Sequence, residues 1–308
     1  MTPTAPLPTA RLQPGIPFNV VGVDHAGPLY CIDFPGQKFY ILLFTCGVIR
    51  AVHLELVASL TCAETVLAFR RFFARRGLSA VIYSDNARTF VATRDVLLRN
   101  YQAWSPEWRF IPPLSPWWGG WWERMIRTIK TALRKTLGNR TATRIELETM
   151  LHEVEACVNS RPLTFVTTEV DCLRALTPSH FLIGRPIYQG ISDDQGPQTS
   201  LRESKAARDN LMKHFWEVWS TLYIRELPIG SSRAGRRHRP FRVGDLVLVE
   251  ETSRSRTVWP LGRVTKVHPG RDGVIRSVTI QTQKGELQRA VQRLRALEVE
   301  DQEGEDFL

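Results

Sequence analysis

Apolar and polar positions change their period several times along the chain, and each change predicts a new element. Residues 18–24, 39–46 and 48–56 are rich in β-branched and aromatic residues, and the third of these segments alternates apolar with polar positions. Short links between the three segments predict an antiparallel meander.

A helix over 61–76 is predicted by its spacing and by the residues at its ends. Thr61 followed by Glu64 has the form of a capping box, and Gly77 suits the position after the last turn. The apolar segment 80–85 then predicts a strand. A helix that leads from one strand to a parallel neighbour forms a βαβ unit, so we expect this strand beside an earlier one.

After residue 90 the pattern predicts helices first and a small β module last. We expect helices over 91–101, 121–137, 144–160 and 201–226, a short strand over 108–112, and further elements over 244–250, 259–267, 274–282 and 285–295, the last a strand or a short helix. We expect five segments, of which the core takes its end from the motifs described below: an extended leader (1–16), a core (17–186), a linker with a helical connector (187–232), a small basic β module (233–297) and an acidic disordered tail (298–308).

The charge of the chain favours a polyanionic partner. The net charge is +10, and residues 298–308 carry six acids and no bases, so the preceding residues carry +16. Each phosphate that a basic side chain neutralises releases counterions, which strengthens binding to nucleic acid. A basic balance alone also suits a protein that binds no nucleic acid. The longest apolar run, 39–49, is too short to span a bilayer, so no membrane partner is expected.

The cysteines predict neither a zinc site nor a disulfide framework. They are scattered, odd in number and without a CxxC pair: Cys31, Cys46, Cys62, Cys157 and Cys172. We interpret them as reduced thiols. Any metal in this chain is therefore expected on oxygen ligands.

Two aspartates, Asp24 and Asp85, each follow an apolar strand segment. An aspartate at a strand end is usually a turn residue, so neither one alone indicates a site. Together they indicate more, because strands that lie side by side can bring the side chains at their carboxyl ends to one edge of a sheet, where α/β proteins place their chemistry.

Glu123 begins the best-defined helix, which has two distinct faces. The apolar face is expected in the core and comprises Trp122, Ile126, Ile129, Leu133 and Leu137. A neighbouring ridge has Glu123 at its start, followed by Arg127, Lys130 and Arg134. This ridge by itself also suits a solvated face with an i,i+4 ion pair and an acid near the helix N-terminus.

Three carboxylates from two strands and a helix can converge on one point. Asp24, Asp85 and Glu123 would then form a hard, oxygen-only site suited to two Mg²⁺ or Mn²⁺ ions. Such a pair activates an attacking oxygen and stabilises the leaving oxygen in phosphoryl transfer. The basic ridge would guide a phosphate backbone to that point.

The spacing and the surrounding residues resemble the D,D-35-E signature of retroviral and retrotransposon integrases. Asp24 and Asp85 are 61 positions apart, and 37 residues lie between Asp85 and Glu123, two more than the signature has. Five strings occur in the family's order: FNVVGVDHAGPL, IYSDNARTF, SPWWGGWWERMIRTIKTALRK, NSRPLT at 159–164 and LTPSHFLIGRP at 176–186. The third and fifth resemble the BEL/Pao branch of long-terminal-repeat retrotransposons.

The resemblance implies a ribonuclease H-like α/β fold, a mixed five-stranded sheet flanked by helices, with Asp24, Asp85 and Glu123 as catalytic and metal-binding residues. It implies 3′-end processing and strand transfer on element ends and target DNA, a homo-oligomer, and a nuclear protein made in the cytoplasm. Residues 205–297 resemble the module that follows the core in Pao-type polyproteins, which implies a small SH3-like β-barrel. The family's upstream zinc module is expected to be missing from this chain.

Further DNA contacts are expected next to Asp85 and in the C-terminal part. Asn86 and Arg88 follow Asp85 in a loop near the predicted metals, although asparagine is also a good turn residue. The segment RAGRRHRPFR at 233–242 contains Arg236, Arg237 and Arg239, which suit DNA binding, nuclear import or a solvated linker.

Three functions compete on these observations. The leading hypothesis is an integrase core, a polynucleotidyl transferase with nuclease chemistry that carries out DNA integration. The alternative is a domesticated, catalytically silent DNA- or chromatin-binding protein. A nuclease of the same fold is the third, and the trailing β module and the integrase-like strings disfavour it.

Overall fold

The structure is a computed structural model that describes 15–101, 105–111, 120–137, 142–165, 175–187, 200–227, 241–250, 259–283 and 285–297. For 120–123, 165 and 200–209 it describes the backbone alone. The described residues divide into two compact units, one within 15–159 and 200–219 and the other within 160–187 and 220–297. None of the described helices is long and apolar enough to cross a membrane.

A mixed five-stranded sheet organises the first unit. Its strands are β1 (Val20–Tyr30), β2 (Lys38–Cys46), β3 (Val52–Val57), β4 (Val81–Ser84) and β5 (Glu107–Phe110). They lie in the order β3-β2-β1-β4-β5. The first three strands pair antiparallel, and β4 runs parallel to both β1 and β5. The predicted meander and the βαβ unit are therefore both present.

Helices α1 (Cys62–Arg76), α2 (Arg88–Asn100), α3 (Gly120–Leu137) and α4 (Arg144–Asn159) flank this sheet. α3 packs on β1 and β2, whereas α1 and α4 pack on β3. The expected core face of α3 is confirmed for its described side chains, since Ile126, Ile129, Leu133 and Leu137 are all buried. Trp122 belongs to the residues described by backbone alone.

The ends of several elements differ from the sequence prediction for local reasons. β1 continues past Asp24 to Tyr30, with a register shift between Ala26 and Leu29. Gly27 lies in that shift at φ 136°, a region that a residue with a Cβ rarely adopts. At the start of α1, Thr61 caps the helix as expected. The other half of the predicted capping box differs, because the side chain of Glu64 accepts a hydrogen bond from the Ala58 N–H at 3.3 Å.

The outer edge of β3 pairs with side chains of α4. Asn159 accepts a hydrogen bond from the Val52 N–H at 2.8 Å and donates one to the Val52 carbonyl at 2.9 Å. Glu155 accepts a third from the Leu54 N–H at 2.9 Å. An exposed strand edge is a template for pairing with another chain, and these contacts satisfy part of that edge within the unit.

The second unit begins with a short strand pair and a short helix. The pair is formed by β6 (Thr164–Phe165) and β7 (Ala175–Leu176), which run antiparallel. Helix α5 (Pro178–Ile183) follows β7 directly. It starts with a capping box in which Thr177 and His180 bond to each other's backbone N–H.

A separate five-stranded antiparallel sheet also belongs to the second unit. Its strands are β8 (Leu246–Val249), β9 (Leu261–Pro269), β10 (Ile275–Thr282), β11 (Gly285–Ala290) and β12 (Leu294–Ala296), with a 3-10 helix over Val291–Arg293. They lie in the order β11-β10-β9-β8-β12. The sequence prediction of a small β module is confirmed as a sheet, and barrel closure is not shown.

A long helix, α6 (Ser200–Glu226), lies between α5 and β8 in the chain and matches the helix expected over 201–226. The leader up to residue 14, most of the linker, the basic segment 233–240 and the acidic tail lie outside the described residues, and so does Cys172. The other four cysteines are free thiols, of which Cys31, Cys46 and Cys157 are buried.

Candidate metal centre and basic groove

Asp24 and Asp85 each lie just past the paired stretch of the parallel β1–β4 ladder. Each residue pair of the β1–β4 ladder, from Val20 with Val81 onward, has an offset of 61 positions. The same offset separates Asp24 from Asp85. Both residues follow the last ladder pair, Gly22 with Tyr83, by the same two positions, so they lie at the same end of that ladder.

Asp24 is already held against a cation. The Lys130 ammonium on α3 donates to Asp24 Oδ2 at 2.7 Å, and the two side chains are 35% and 30% exposed. The backbone N–H of His25 donates to the other carboxylate oxygen, also at 2.7 Å. Both oxygens of Asp24 therefore face hydrogen-bond donors at the end of the buried part of β1.

Asp85 is exposed and begins the turn into α2. Its Oδ1 accepts a hydrogen bond from the Ala87 N–H at 3.0 Å, the turn geometry that short acidic side chains favour. Asn86 donates from Nδ2 to the Ile111 carbonyl at 2.6 Å, which ties this turn to the end of β5. Arg88 lies in the first turn of α2.

His25 follows Asp24 on β1, and its ring contacts the helix that follows Asp85. Its ring stacks on Phe90 with centroids 4.6 Å apart and an interplanar angle of 17°. Burial lowers the pKa of His25 to about 4, the negative charge of Asp85 opposes that shift, and Lys130 adds to it. The ring is therefore neutral at pH 7, and both Asp85 and Lys130 lie within electrostatic range of it.

Glu123 lies in the first turn of α3, and its side chain is outside the described part of the structure. Among the side chains that are described, no three His, Cys, Asp or Glu residues gather into a metal-binding group. Asp24 and Asp85 nevertheless fit a hard divalent cation. They supply oxygen donors at the same end of the β1–β4 ladder, and Asp24 already neutralises a positive charge.

A groove of about 730 Å³ runs from Asp24 along α3. One wall is basic and carries Arg124, Arg127, Lys130 and Arg134. The groove is also lined by the irregular part of β1, where Gly27, Pro28 and Leu29 contribute backbone and apolar surface. A cationic wall next to an apolar one suits a chain of phosphates whose sugars or bases contact the apolar side.

The structure brings some of the sequence-predicted residues into this site and leaves others untested. Arg127, Lys130 and Arg134 line the groove, whereas Asn86 and Arg88 lie beside Asp85. Arg236, Arg237 and Arg239 lie outside the described residues.

Sequence reasoning missed Arg124, because the predicted ridge followed i+4 and i+7 steps from Glu123. Arg124 lies three positions before Arg127, a spacing that also places two side chains on neighbouring turns. His25 has no predicted catalytic role, and its backbone contact with Asp24 depends on no side chain of its own.

Solved structures with detectable similarity include an integrase core and an intasome. The magnesium complex of the HTLV-2 integrase catalytic core domain in its dimeric form is 18% identical with a TM-score of 0.36, over 47% of this chain and 88% of that chain. The trimeric form is 16% identical with a TM-score of 0.36, over 48% and 90%. The simian T-cell lymphotropic virus intasome in complex with PP2A regulatory subunit B56 gamma is 12% identical with a TM-score of 0.41, over 92% and 79%. Likenesses at this level do not carry function from one protein to another.

Residues 205–297 match a protein family of unknown function, DUF5641. The matched region is the one that resembles the Pao-type module, and it covers less than half of the chain. No curated protein matches the sequence.

Proposed function

We propose that this chain is the catalytic core of a retroelement integrase, a metal-dependent polynucleotidyl transferase that acts on DNA. The observation that carries the proposal is the common offset of 61 positions in the β1–β4 ladder and between Asp24 and Asp85. Two acids that follow the same ladder at equal distances, and a helix with Glu123 in its first turn, support a site of three carboxylates.

Asp24, Asp85 and Glu123 are the residues that would hold two Mg²⁺ or Mn²⁺ ions. Bound there, the ions would lower the pKa of an attacking water or 3′-hydroxyl and stabilise the leaving oxygen. In end processing a water oxygen bonds to phosphorus as the P–O3′ bond breaks. In strand transfer the oxygen of a 3′-hydroxyl bonds to a phosphorus of the target strand as the P–O3′ bond there breaks. In both reactions the attacking oxygen gives up a proton and the displaced 3′-oxygen takes one up.

The chain's own basic residues position the DNA for this reaction. Arg127, Lys130 and Arg134 bind successive phosphates along the groove, and Arg124 extends the same wall. Asn86 and Arg88 contribute from the turn after Asp85. Arg236, Arg237 and Arg239 give the C-terminal unit a second DNA contact, which is proposed from charge alone.

The finer parts of the proposal come from the sequence resemblance. They are a BEL/Pao-type element, closure of the C-terminal sheet into an SH3-like barrel, assembly of several copies on element ends and target DNA, and action in the nucleus. A 3-10 helix before the last strand, and the pairing of that strand with β8, support the barrel.

Short duplexes that end in the element's terminal repeat provide the test. The full chain with Mn²⁺ is expected to nick or join them, and Asp85→Asn is expected to abolish both reactions while DNA affinity stays nearly unchanged. Activity that survives in Asp85→Asn would refute the metal-site assignment.

The domesticated DNA-binding protein is the second candidate, and the basic groove is the observation that favours it. A parent chain that never cuts or joins DNA, yet binds it with a steep dependence on salt, would establish this alternative.

A further inference from the structure

Lys130 lines the basic groove and also contacts a predicted metal ligand. It donates to Asp24 Oδ2 at 2.7 Å while its stem lines the groove beside Arg127 and Arg134. The same side chain therefore has access to two anionic partners: the carboxylate of Asp24 and any phosphate that enters the groove.

A divalent ion at Asp24 would compete with the Lys130 ammonium for the same carboxylate. A divalent ion on Asp24 and the Lys130 ammonium would repel each other at contact distance, and both need the same carboxylate. Lysine carries its charge on a flexible four-carbon stem, so the ammonium can leave Asp24 while its backbone stays on α3. Both partners are about one-third exposed, which leaves room for that movement.

We propose that Lys130 couples metal binding to DNA binding: it neutralises Asp24 in the metal-free protein and moves to a DNA phosphate when a divalent ion takes its place. The inference rests on the proposed function, since it needs a metal at Asp24 and DNA in the groove. Coupling of two binding equilibria is reciprocal, so DNA that engages Lys130 also strengthens metal binding at Asp24.

The sharpest consequence appears in the absence of DNA. Lys130→Gln removes the competing cation, so it is expected to bind Mn²⁺ about two- to five-fold more tightly than the parent, the range that an ion pair of this exposure supports. Arg127→Gln is the matched control. It removes one positive charge from the same groove wall one turn earlier, and so reports the general electrostatic effect of a lost charge.

The experiment titrates Mn²⁺ into the full-length parent, Lys130→Gln and Arg127→Gln, with and without a short duplex, and follows free Mn²⁺ by electron paramagnetic resonance. The expected result is tighter binding in Lys130→Gln than in Arg127→Gln without DNA, with a difference that persists at high salt because contact pairs are screened less than distant charges. DNA is expected to enhance Mn²⁺ binding less in Lys130→Gln than in the parent.

Two outcomes separate this inference from the proposed function. Equal Mn²⁺ affinities in Lys130→Gln and Arg127→Gln would overturn the coupling role while the metal centre stands. If Asp24→Asn binds Mn²⁺ as tightly as the parent does, both the coupling role of Lys130 and the metal centre are overturned. Lys130→Met, which keeps the stem and removes the charge, is expected to reproduce the Lys130→Gln result.

Discussion

A single side chain can satisfy the backbone of a distant strand, and Asn159 does so for β3. The sequence pattern places it at the end of a helix, where it is expected to cap the helix or to pair within the protein. In the structure it is 1% exposed, and its amide pairs with both the N–H and the carbonyl of Val52. Neither contact is readable from sequence, because the two residues are 107 positions apart.

Asn159→Ala is expected to lower the free energy of unfolding by about 2–4 kcal/mol, since it leaves two buried backbone groups without partners. Chemical denaturation measures the change. Asn100→Ala, at the exposed end of α2, is the control and is expected to change the free energy of unfolding by less than about 0.5 kcal/mol. Equal effects of the two substitutions would mean that the Val52 contacts do not support the fold.

The two aspartates were predictable and their cationic partner was not. Asp24 and Asp85 stand out in the sequence because each ends an apolar strand segment, and adjacent parallel strands place such ends together. The helical spacing of Lys130 predicts a DNA contact and nothing more. Its contact with Asp24 depends on how α3 is rotated over β1, which tertiary packing decides.

At the scale of elements, β3 and α1 are joined by ion pairs between a buried glutamate and partly exposed arginines. Glu55 on β3 is 5% exposed, and it pairs with Arg71 and Arg75 on α1 and with His53 beside it. Burial alone raises the pKa of Glu55, but the hydrogen bonds from His53 and Arg71 and the nearby charges outweigh it and bring the pKa to about 2. Burial also raises the pKa of Glu155 on α4, but hydrogen bonding and charge from His53, with Arg76 and the Leu54 N–H, lower it overall.

This network predicts how stability depends on acid. The pKa of Glu55 is lower in the folded protein than its ordinary value of 4.5, so its contribution is fully present above that value and is lost as the pH falls towards 2. A shift of this size corresponds to about 3 kcal/mol. Glu55→Gln is therefore expected to show a smaller fall in unfolding free energy between about pH 5 and pH 2 than the parent.

Denaturant unfolding across that pH range checks the prediction, with Glu148→Gln as the control because Glu148 is an exposed acid of α4. Parallel pH curves for the parent and Glu55→Gln would contradict the assignment of this acid sensitivity to the β3–α1 contact.

Element order was readable from sequence, while several element ends were set by contacts that no local pattern shows. α2 begins at Arg88 rather than 91 because Asp85 turns the chain into the helix. β3 begins at Val52 rather than 48 because the preceding residues turn, with Arg50 at φ 54° and a hydrogen bond from the Cys46 N–H to the Ala51 carbonyl. Gly27 and Pro28 are residue types that disfavour the interior of a strand, so the sequence pattern did not predict that β1 continues to Tyr30.

At the scale of the whole molecule, the two compact units divide near residues 159 and 219, whereas the sequence motifs predict a core that ends at 186. The motifs NSRPLT and LTPSHFLIGRP belong to the same resemblance as the acids, so the prediction assigns them to the core. Packing instead groups 160–192 with the C-terminal sheet. Such grouping depends on long-range contacts that a linear motif does not contain, and the five-segment organisation stays a prediction.

The central claim for the whole molecule is that Asp24, Asp85 and Glu123 form one metal centre for DNA strand transfer. Mn²⁺-dependent joining by the full chain tests it most directly, measured for Asp24→Asn, Asp85→Asn, Glu123→Gln and the variant that combines all three. Groups that act as a unit are strongly non-additive, so each single variant is expected to lose as much activity as the combined one while still binding DNA. A Glu123→Gln protein that joins DNA at nearly the parent rate would contradict the claim.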